Sequence, residues 1–372
     1  MSSSSKILER IARDAGVPDL VSVLSERLSS SDLNSVLLAV FAKRSQAVEV
    51  LDLLRDRGGL AAPSSIDQRA LHRFDAVAFE AAREFEGLEC SPVCPFAVNA
   101  ALGGIHQNNV LTASRSSEVM ADPTAAQALE CTRRRRALRS SGQSATPVKL
   151  CGSHRVIRMQ PFDVPGYKPH FRLFSLVTAG RDTGSDTFET EALYEHLSVY
   201  LRLLRGLADE GYRFDALSVE ISDTEVTTKL LERAGIDAGE IRGRVKAHAL
   251  GSSKALLEEL GINLPEFVED PEQELPDGFA MARLSRVRAR VILPLRDEFP
   301  DVPVRFDFSR LEGLGYYTGL CMKVSATDPT GLRLPFADGG FTNWTQRLLN
   351  DRKERLLISG IGTEAICGRF RS

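Results

Sequence analysis

The run FDFSRLEGLGYYTGLCMKV, residues 306–324, is flanked by strand-like composition on both sides. Residues 304–308 and 316–325 are rich in Val, Phe, Tyr and Leu, as extended segments are. Working outward toward the C-terminus, a helix is expected around 344–350 and a strand at 356–361. Toward the N-terminus, residues 236–300 read as mostly helical, with an acidic, Pro-containing break around 269–277. Before that insertion the pattern returns to strands at 148–151, 155–159, 171–178 and 216–221. Between the last two lies a helix at 190–207, with Leu193, Leu197, Leu201 and Leu204 on one face. A helix at 225–234 is closed by Gly235. Residues 66–85 read as one long helix leading into a short extended piece at 88–92. A helical insertion between strand-rich segments points to an α+β fold with a mainly antiparallel sheet.

The first 57 residues have a different texture. Leu20, Val21, Val23, Leu24 and Leu28 fall near helical spacing, as do Leu37, Leu38, Val40 and Phe41. Ser31 and Asp32 offer N-capping oxygens to the second group. Gly58-Gly59 and the following Ala61–Ser65 stretch read as a helix stop and linker. The chain therefore divides into a helical module at 1–60 and a larger α+β unit at 66–372 that carries a helical insertion around 225–300. The module is expected to pack, dimerise or dock a partner protein rather than carry chemistry.

Composition narrows the function classes. The 372 residues are 43% hydrophobic and 26% charged, which are globular values. Lys and Arg number 47 against 50 Asp and Glu, a net charge of −3, so a strongly basic polyanion binder is not expected, while local Arg clusters stay open. No apolar run approaches the ~18 residues of a membrane span. The N-terminus lacks a signal peptide's apolar core, and six scattered Cys make no disulfide framework. A cytoplasmic protein without membrane contact is expected. Cys90-x3-Cys94 lacks a second ligand pair at zinc-site spacing, so both read as buried thiols. No Walker A, GxSxG or strand-opening GxGxxG is present. What remains is Arg density: Arg155, Arg158, Arg172 and Arg181 flank extended segments, where guanidinium groups can fork onto phosphate or carboxylate oxygens or form surface ion pairs. Arg133–Arg136 reads as a solvated helix face.

Taken in order, several segments resemble the catalytic core of class II aminoacyl-tRNA synthetases, specifically histidyl-tRNA synthetase and its relative, the regulatory subunit of ATP phosphoribosyltransferase. The helix from Gln68 followed by GLECSP resembles the first family motif. RVIRMQ followed by HFRLFSL resembles the second, and GIGTEAICGRF the third. GLGYYTG resembles the histidine-specific segment, and FADGGFTNW the glycine block that follows it. The resemblance implies an antiparallel sheet flanked by helices, a homodimer formed through the first motif, ATP as cofactor and a small amino or carboxylic acid as ligand. It places Arg158 on the α-phosphate of ATP, Gln160 near the adenine, Arg172 on the returning strand and Glu364 in the third motif. It places Asp122 and Thr124 at the substrate amino group, Tyr316 and Tyr317 around the acid's pocket, and Gly339-Gly340 as its floor.

The departures carry equal weight. Glu312 stands where the family has a catalytic arginine, and Ala365 where it has the arginine clamping the triphosphate. Leu176 and Gly180 stand near positions that read the imidazole, and offer it no side-chain partner. No anticodon-binding domain follows the third motif in this sequence, so tRNA is not the expected partner. Two readings stay open. One is ATP-dependent activation of a small amino or carboxylic acid for a non-tRNA acceptor, with Arg158, Arg172 and Glu312 as catalytic groups. In it Glu312 holds Mg²⁺, which prefers carboxylate and phosphate oxygens. The other is a catalytically silent subunit that senses an amino acid for a partner enzyme, Glu312 turning to a local arginine such as Arg310.

Overall fold

Alternation along the strands gives the sheet its two faces. On the strand 170–181, Phe174 and Leu176 enter one apolar cluster while Val177 and Ala179 enter another, because successive side chains point to opposite sides. The strand 354–362 does the same, with Leu357 and Ile361 on the first side and Leu356 and Ile358 on the second. Both faces are covered, so these strands lack a polar side. The computed structural model describes residues 3–54, 59–160, 168–245, 252–275, 279 and 281–371.

The eight strands of the main sheet are β1 (Glu86–Gly87), β2 (Val148–Ile157), β3 (His170–Arg181), β4 (Asp215–Asp223), β5 (Val304–Phe306), β6 (Leu320–Thr327), β7 (Arg333–Thr342) and β8 (Glu354–Gly362). Their spatial order is β1-β2-β3-β8-β7-β6-β4-β5. The outer pairs β1·β2 and β4·β5 run parallel, and the five inner pairings are antiparallel. The helices used below are α1 (Ser3–Asp14), α2 (Ser30–Ser45), α3 (Gln68–Ala81), α4 (Pro123–Ser140), α5 (Thr187–Asp209), α6 (Thr224–Arg233), α7 (Ala238–Arg244), α8 (Ser252–Leu260) and, after β8, α9 (Thr363–Arg369). Helices α3 and α5 bury Phe74, Ala78, Leu193, Leu197, Leu201 and Leu204 against one face. The opposite face receives Ala125, Ala128 and Cys131 of α4, with Trp344 from a short helix at Trp344–Leu349. The sheet flanked by helices, with a helical insertion between β4 and β5, is the α+β arrangement expected.

The differences from expectation have local causes. The expected strands at 148–151 and 155–159 are one ten-residue strand, β2, because Gly152 and Ser153 pair with Ser175 and Phe174 across β3 without a break. Strand β7 escapes periodicity: Pro335, Asp338, Gly339 and Gly340 dilute its apolar signal, yet it is central and hydrogen-bonded on both sides. Tyr316 and Tyr317 lie in a turn, and β6 starts only at Leu320. The acidic break contains a helical turn, Pro271–Glu274, capped by Asp270. The cap of α2 is Ser29, whose Oγ accepts from the Asp32 N–H, rather than Ser31 or Asp32. Arg133–Arg136 is not a uniformly solvated face. Arg135 is fully buried and forks onto Glu354 at 2.9 and 3.0 Å, and Arg134 reaches Glu86. Residues 161–167, which the resemblance assigns to the second motif's loop, and Gly58 of the expected helix stop lie outside the described residues. No described helix is long and apolar enough to cross a membrane.

Candidate functional site

A cavity of about 1090 Å³ opens beside the C-terminal part of β8, between the start of α4, the Arg-bearing ends of β2 and β3, the 310–317 turn and α9. The inner β strands supply its floor. The side chains that converge on it come from stretches well separated in sequence.

Asp122 is the N-cap of α4. Its Oδ1 accepts from the Thr124 N–H at 2.9 Å and from the Thr124 hydroxyl at 2.8 Å, and Pro123 occupies the first turn. The second oxygen, Oδ2, faces Arg158 at 3.8 Å. Just beyond β2, Arg158 donates from Nε to the Ala121 carbonyl at 3.0 Å and lies 5.3 Å above the Phe171 ring. These contacts leave its outer nitrogens toward the cavity with only a loose ion pair. Arg172 is held more tightly, donating to Ser153 Oγ at 2.8 Å and pairing with Asp75 of α3 at 2.9 Å. Burial raises the Asp75 carboxyl despite that arginine. Glu364, at the first turn of α9, is engaged by Arg155, which also meets His170 at 2.8 Å.

The 310–317 turn is built around Arg310. This side chain is almost fully buried and donates to both oxygens of Asp338 at 2.8 Å, to the Met322 carbonyl at 3.0 Å and, through Nε, to the Glu312 carbonyl at 2.9 Å. The Tyr317 hydroxyl donates to Asp338 at 3.0 Å. Burial and the nearby carboxylate keep the Tyr317 phenol protonated well above its ordinary range, and the same holds at Tyr316. The two rings meet edge to face at 4.9 Å. Gly313 has φ 93°, which a side-chain-bearing residue rarely adopts, and a Cβ there would strike the Tyr317 ring at 2.6 Å.

Arg158, Gln160, Arg172, Glu312, Glu364, Asp122, Thr124, Tyr316 and Tyr317 all line the same cavity. Gly339 and Gly340 do not. A Cβ on Gly340 would collide with the Tyr317 ring at 2.6 Å, so its smallness lets that ring lie against β7, while a Cβ on Gly339 would strike Ser359 at 2.4 Å on the neighbouring strand β8. Leu176 and Gly180 also lie away from the cavity: Leu176 is fully buried in the core and Gly180 abuts Phe188. Glu312 is not paired with the Arg310 guanidinium. Its carboxylate accepts from the Ser253 N–H at 3.1 Å and from the Ser253 hydroxyl, fixing the start of α8.

Mg²⁺ fits this arrangement poorly. Both Glu312 oxygens already accept from Ser253, Asp338 is taken by Arg310, and no group of three His, Cys, Asp or Glu side chains suited to a metal occurs among the described residues. At the third motif, Ala365 lines the cavity without a charge. Several lining residues were not singled out from sequence, Asp338 and Arg242 among them. Asp338 adjoins Gly339-Gly340 and could have been found from that position. Arg242, from α7, has no ion-pair partner among the described residues and packs its guanidinium against Gly315. Nothing in an arginine beside Arg244 on a short helix marks it in sequence.

No protein-family description and no curated protein sequence matches the chain. Solved structures do. An ATP phosphoribosyltransferase regulatory subunit/histidyl-tRNA synthetase from Bacillus halodurans superposes with a TM-score of 0.61 at 13% identity, covering 86% of this chain and 84% of that one. A histidine–tRNA ligase subunit from Alicyclobacillus acidocaldarius gives 0.58 at 17% identity, covering 84% and 96%. The histidyl-tRNA synthetase of Nostoc sp. gives 0.58 at 17% identity, covering 83% and 73%. The fold is therefore that of histidyl-tRNA synthetase-like proteins, a group whose solved members include the regulatory subunit. At these identities the likeness concerns the fold.

Proposed function

We propose that the cavity binds a small amino acid or related carboxylic acid, and that the protein is a ligand-sensing subunit without catalysis of its own. The observation that carries this is the charge of the lining. Among the described residues, six cations (Arg158, Lys168, Arg172, Arg242, Arg310 and Arg369) face five carboxylates (Asp122, Glu312, Asp328, Asp338 and Glu364). Several of those cations are already spent on partners: Arg172 on Asp75, Arg310 on Asp338 and Arg369 on Asp328 at 3.4 Å. A nearly balanced lining suits a zwitterion. A nucleoside triphosphate brings several negative charges and needs dedicated cations, which Glu312 and Ala365 do not supply. In this reading Arg158 receives the ligand carboxylate, and the Asp122/Thr124 pair receives its amino group. The Bacillus halodurans protein, a regulatory subunit/histidyl-tRNA synthetase, is compatible with such a role.

The second reading is ATP-dependent activation of the same acid for a non-tRNA acceptor. Arg158 and Arg242, the latter without an ion-pair partner among the described residues, favour it, since two cations in one cavity could hold phosphates. Calorimetry over a panel of amino acids without ATP, run beside ATP–pyrophosphate exchange, separates the two. The sensing reading expects binding of one acid and no exchange with any. Exchange above background would establish activation instead. In either case Arg158→Ala should weaken ligand binding at least tenfold with the melting curve little changed. A charge-assisted bond of that kind is worth about 1.5–3 kcal/mol.

A further inference from the structure

The charges around the cavity can be followed to their partners one by one. Arg172 is taken by Asp75, Arg310 by Asp338 and Arg369 by Asp328. Lys168 donates to the Pro63 carbonyl at 2.6 Å. Glu364 is engaged by Arg155, and both oxygens of Glu312 accept from Ser253. Of the charged lining residues described, Asp122, Arg158 and Arg242 are left over. Asp122 and Arg158 face each other loosely at 3.8 Å, and Arg242 has no ion-pair partner among the described residues. Arg242 nevertheless has a defined seat. Its Nε, Cδ and Cζ atoms come within 2.8–2.9 Å of where a Cβ on Gly315 would stand. Gly315 also has φ 80°, so both the backbone conformation and the close approach call for glycine. The next residue is Tyr316, whose phenol lies within electrostatic reach of Asp122 and Arg158. Consecutive Cα atoms are about 3.8 Å apart, so Arg242 stands at the same part of the wall as that pair.

An α-amino acid satisfies two of these three groups, its carboxylate on Arg158 and its ammonium on Asp122 and Thr124. Arg242 is then still a cation without an anion. The six lining cations outnumber the five carboxylates by one, and a zwitterion leaves that excess unchanged. We propose that the ligand carries a second anionic group on its side chain, which Arg242 receives, so that the cavity selects an acidic amino acid over its neutral analogue. A guanidinium forks onto carboxylate or phosphate oxygens through two parallel bonds, so either group meets the requirement. Glu312, in the same turn, does not compete for Arg242, because Ser253 occupies both its oxygens. A basic side chain would place like charges together at Arg242 and is selected against. Space is not limiting, since about 1090 Å³ lies at the upper end of what drug-sized ligands fill, roughly 300–1,000 Å³. The inference rests on the reading of the cavity as an amino-acid site and adds the class of amino acid.

Calorimetry on the full chain tests it with matched ligands: glutamate against glutamine, aspartate against asparagine, and phosphoserine against serine. At least one acidic member should bind about tenfold or more tightly than its neutral partner, as a charge-assisted contact supports. The pair that shows the gap identifies the second anion as carboxylate or phosphate. Arg242→Ala should bring that acidic ligand down to the affinity of its neutral partner. The melting curve should change little, because the side chain is exposed and pairs with no carboxylate. Arg242→Glu should push the acidic ligand below its neutral partner, since like charges then meet. Arg158→Ala, by contrast, should weaken both members of a pair alike, because both carry the α-carboxylate. If no amino acid binds, the amino-acid reading of the cavity fails and this proposal fails with it. If neutral members bind as tightly as acidic ones, the cavity is an amino-acid site and the second-anion proposal alone is overturned. An acidic preference that survives Arg242→Ala overturns it as well, by placing the anion on a different cation.

Discussion

A single histidine behind the cavity wall ties stability to pH. His196 of α5 is completely buried, and its Nδ1 lies 2.7 Å from the hydroxyl of Ser359, a cavity residue, which also meets the Tyr200 hydroxyl at 2.7 Å. Its Nε2 is 2.9 Å from the Thr178 hydroxyl. Burial pushes the imidazole from 6.5 down to about 3, because none of these hydroxyls compensates a charged ring. The unfolded chain therefore binds a proton that the folded chain refuses. Stability is full above pH 6.5 and is lost as pH falls toward 3. From pH 6.5 to 5 this one group should cost on the order of 1.5 kcal/mol. Urea unfolding at the two pH values should show that extra loss in the parent and not in His196→Asn. Equal losses in both would show that the ring carries no such penalty.

Among the elements, α8 depends on a residue outside it. The first N–H groups of a helix have no partner within it, and here Glu312 supplies one by accepting from Ser253, whose hydroxyl in turn accepts from the Leu311 N–H at 2.8 Å. The charge reversal at Glu312 is thus explained locally: a carboxylate at a helix N-terminus is favourable where an arginine would not be. The insertion is fastened to the turn that carries Tyr316 and Tyr317. Ser253→Ala keeps the N–H bond to Glu312 but removes the hydroxyl's bonds to Glu312 and to the Leu311 N–H, and should cost about 1 kcal/mol locally. Hydrogen exchange across 252–260 should then quicken about fivefold, with β3 and β8 unaffected. Unchanged exchange there would mean the latch does not hold the helix.

For the whole molecule, α4 is anchored to the sheet by an ion pair between residues far apart in sequence. Arg135 and Glu354 are both inaccessible to solvent, and Arg135 also donates to the Thr146 and Ser144 carbonyls at 2.6 and 2.8 Å. Arg135→Ala would strand a buried carboxylate. Chemical denaturation should register a loss of about 3–5 kcal/mol, and less for Arg135→Ala combined with Glu354→Ala. A cost below 1 kcal/mol would mean water already reaches Glu354. Nothing in RRRR distinguishes Arg135 from its neighbours, since only tertiary position buries one of four identical residues. Strongly periodic elements were legible: α5 through its leucines, β3 through its unbroken apolar run, and the α+β class through the order of strands and insertion. Strand β7 was not, because glycine and proline weaken its pattern while two neighbouring strands hold it. In the cavity, the residues at Asp122, Arg158 and Tyr317 were legible from motif order. Their partners Ala121 and Asp338, and the role of Ser253, come from segments that only the fold brings near.

The position of β8 bears on how the chain comes to be made. Among the described strands it is the last in sequence, yet it lies in the interior of the sheet, between β3 and β7. During synthesis, β1 to β3 and β4 to β7 emerge first as two partial sheets, each with one raw edge awaiting the same missing strand. Exposed edges of apolar composition invite pairing with the wrong chain. Until residues 354–362 leave the ribosome, neither half can satisfy its backbone hydrogen bonds on that side, and the cavity has no floor. The two partial sheets are therefore joined only when residues 354–362 enter the gap between β3 and β7, and the cavity floor forms in that same step.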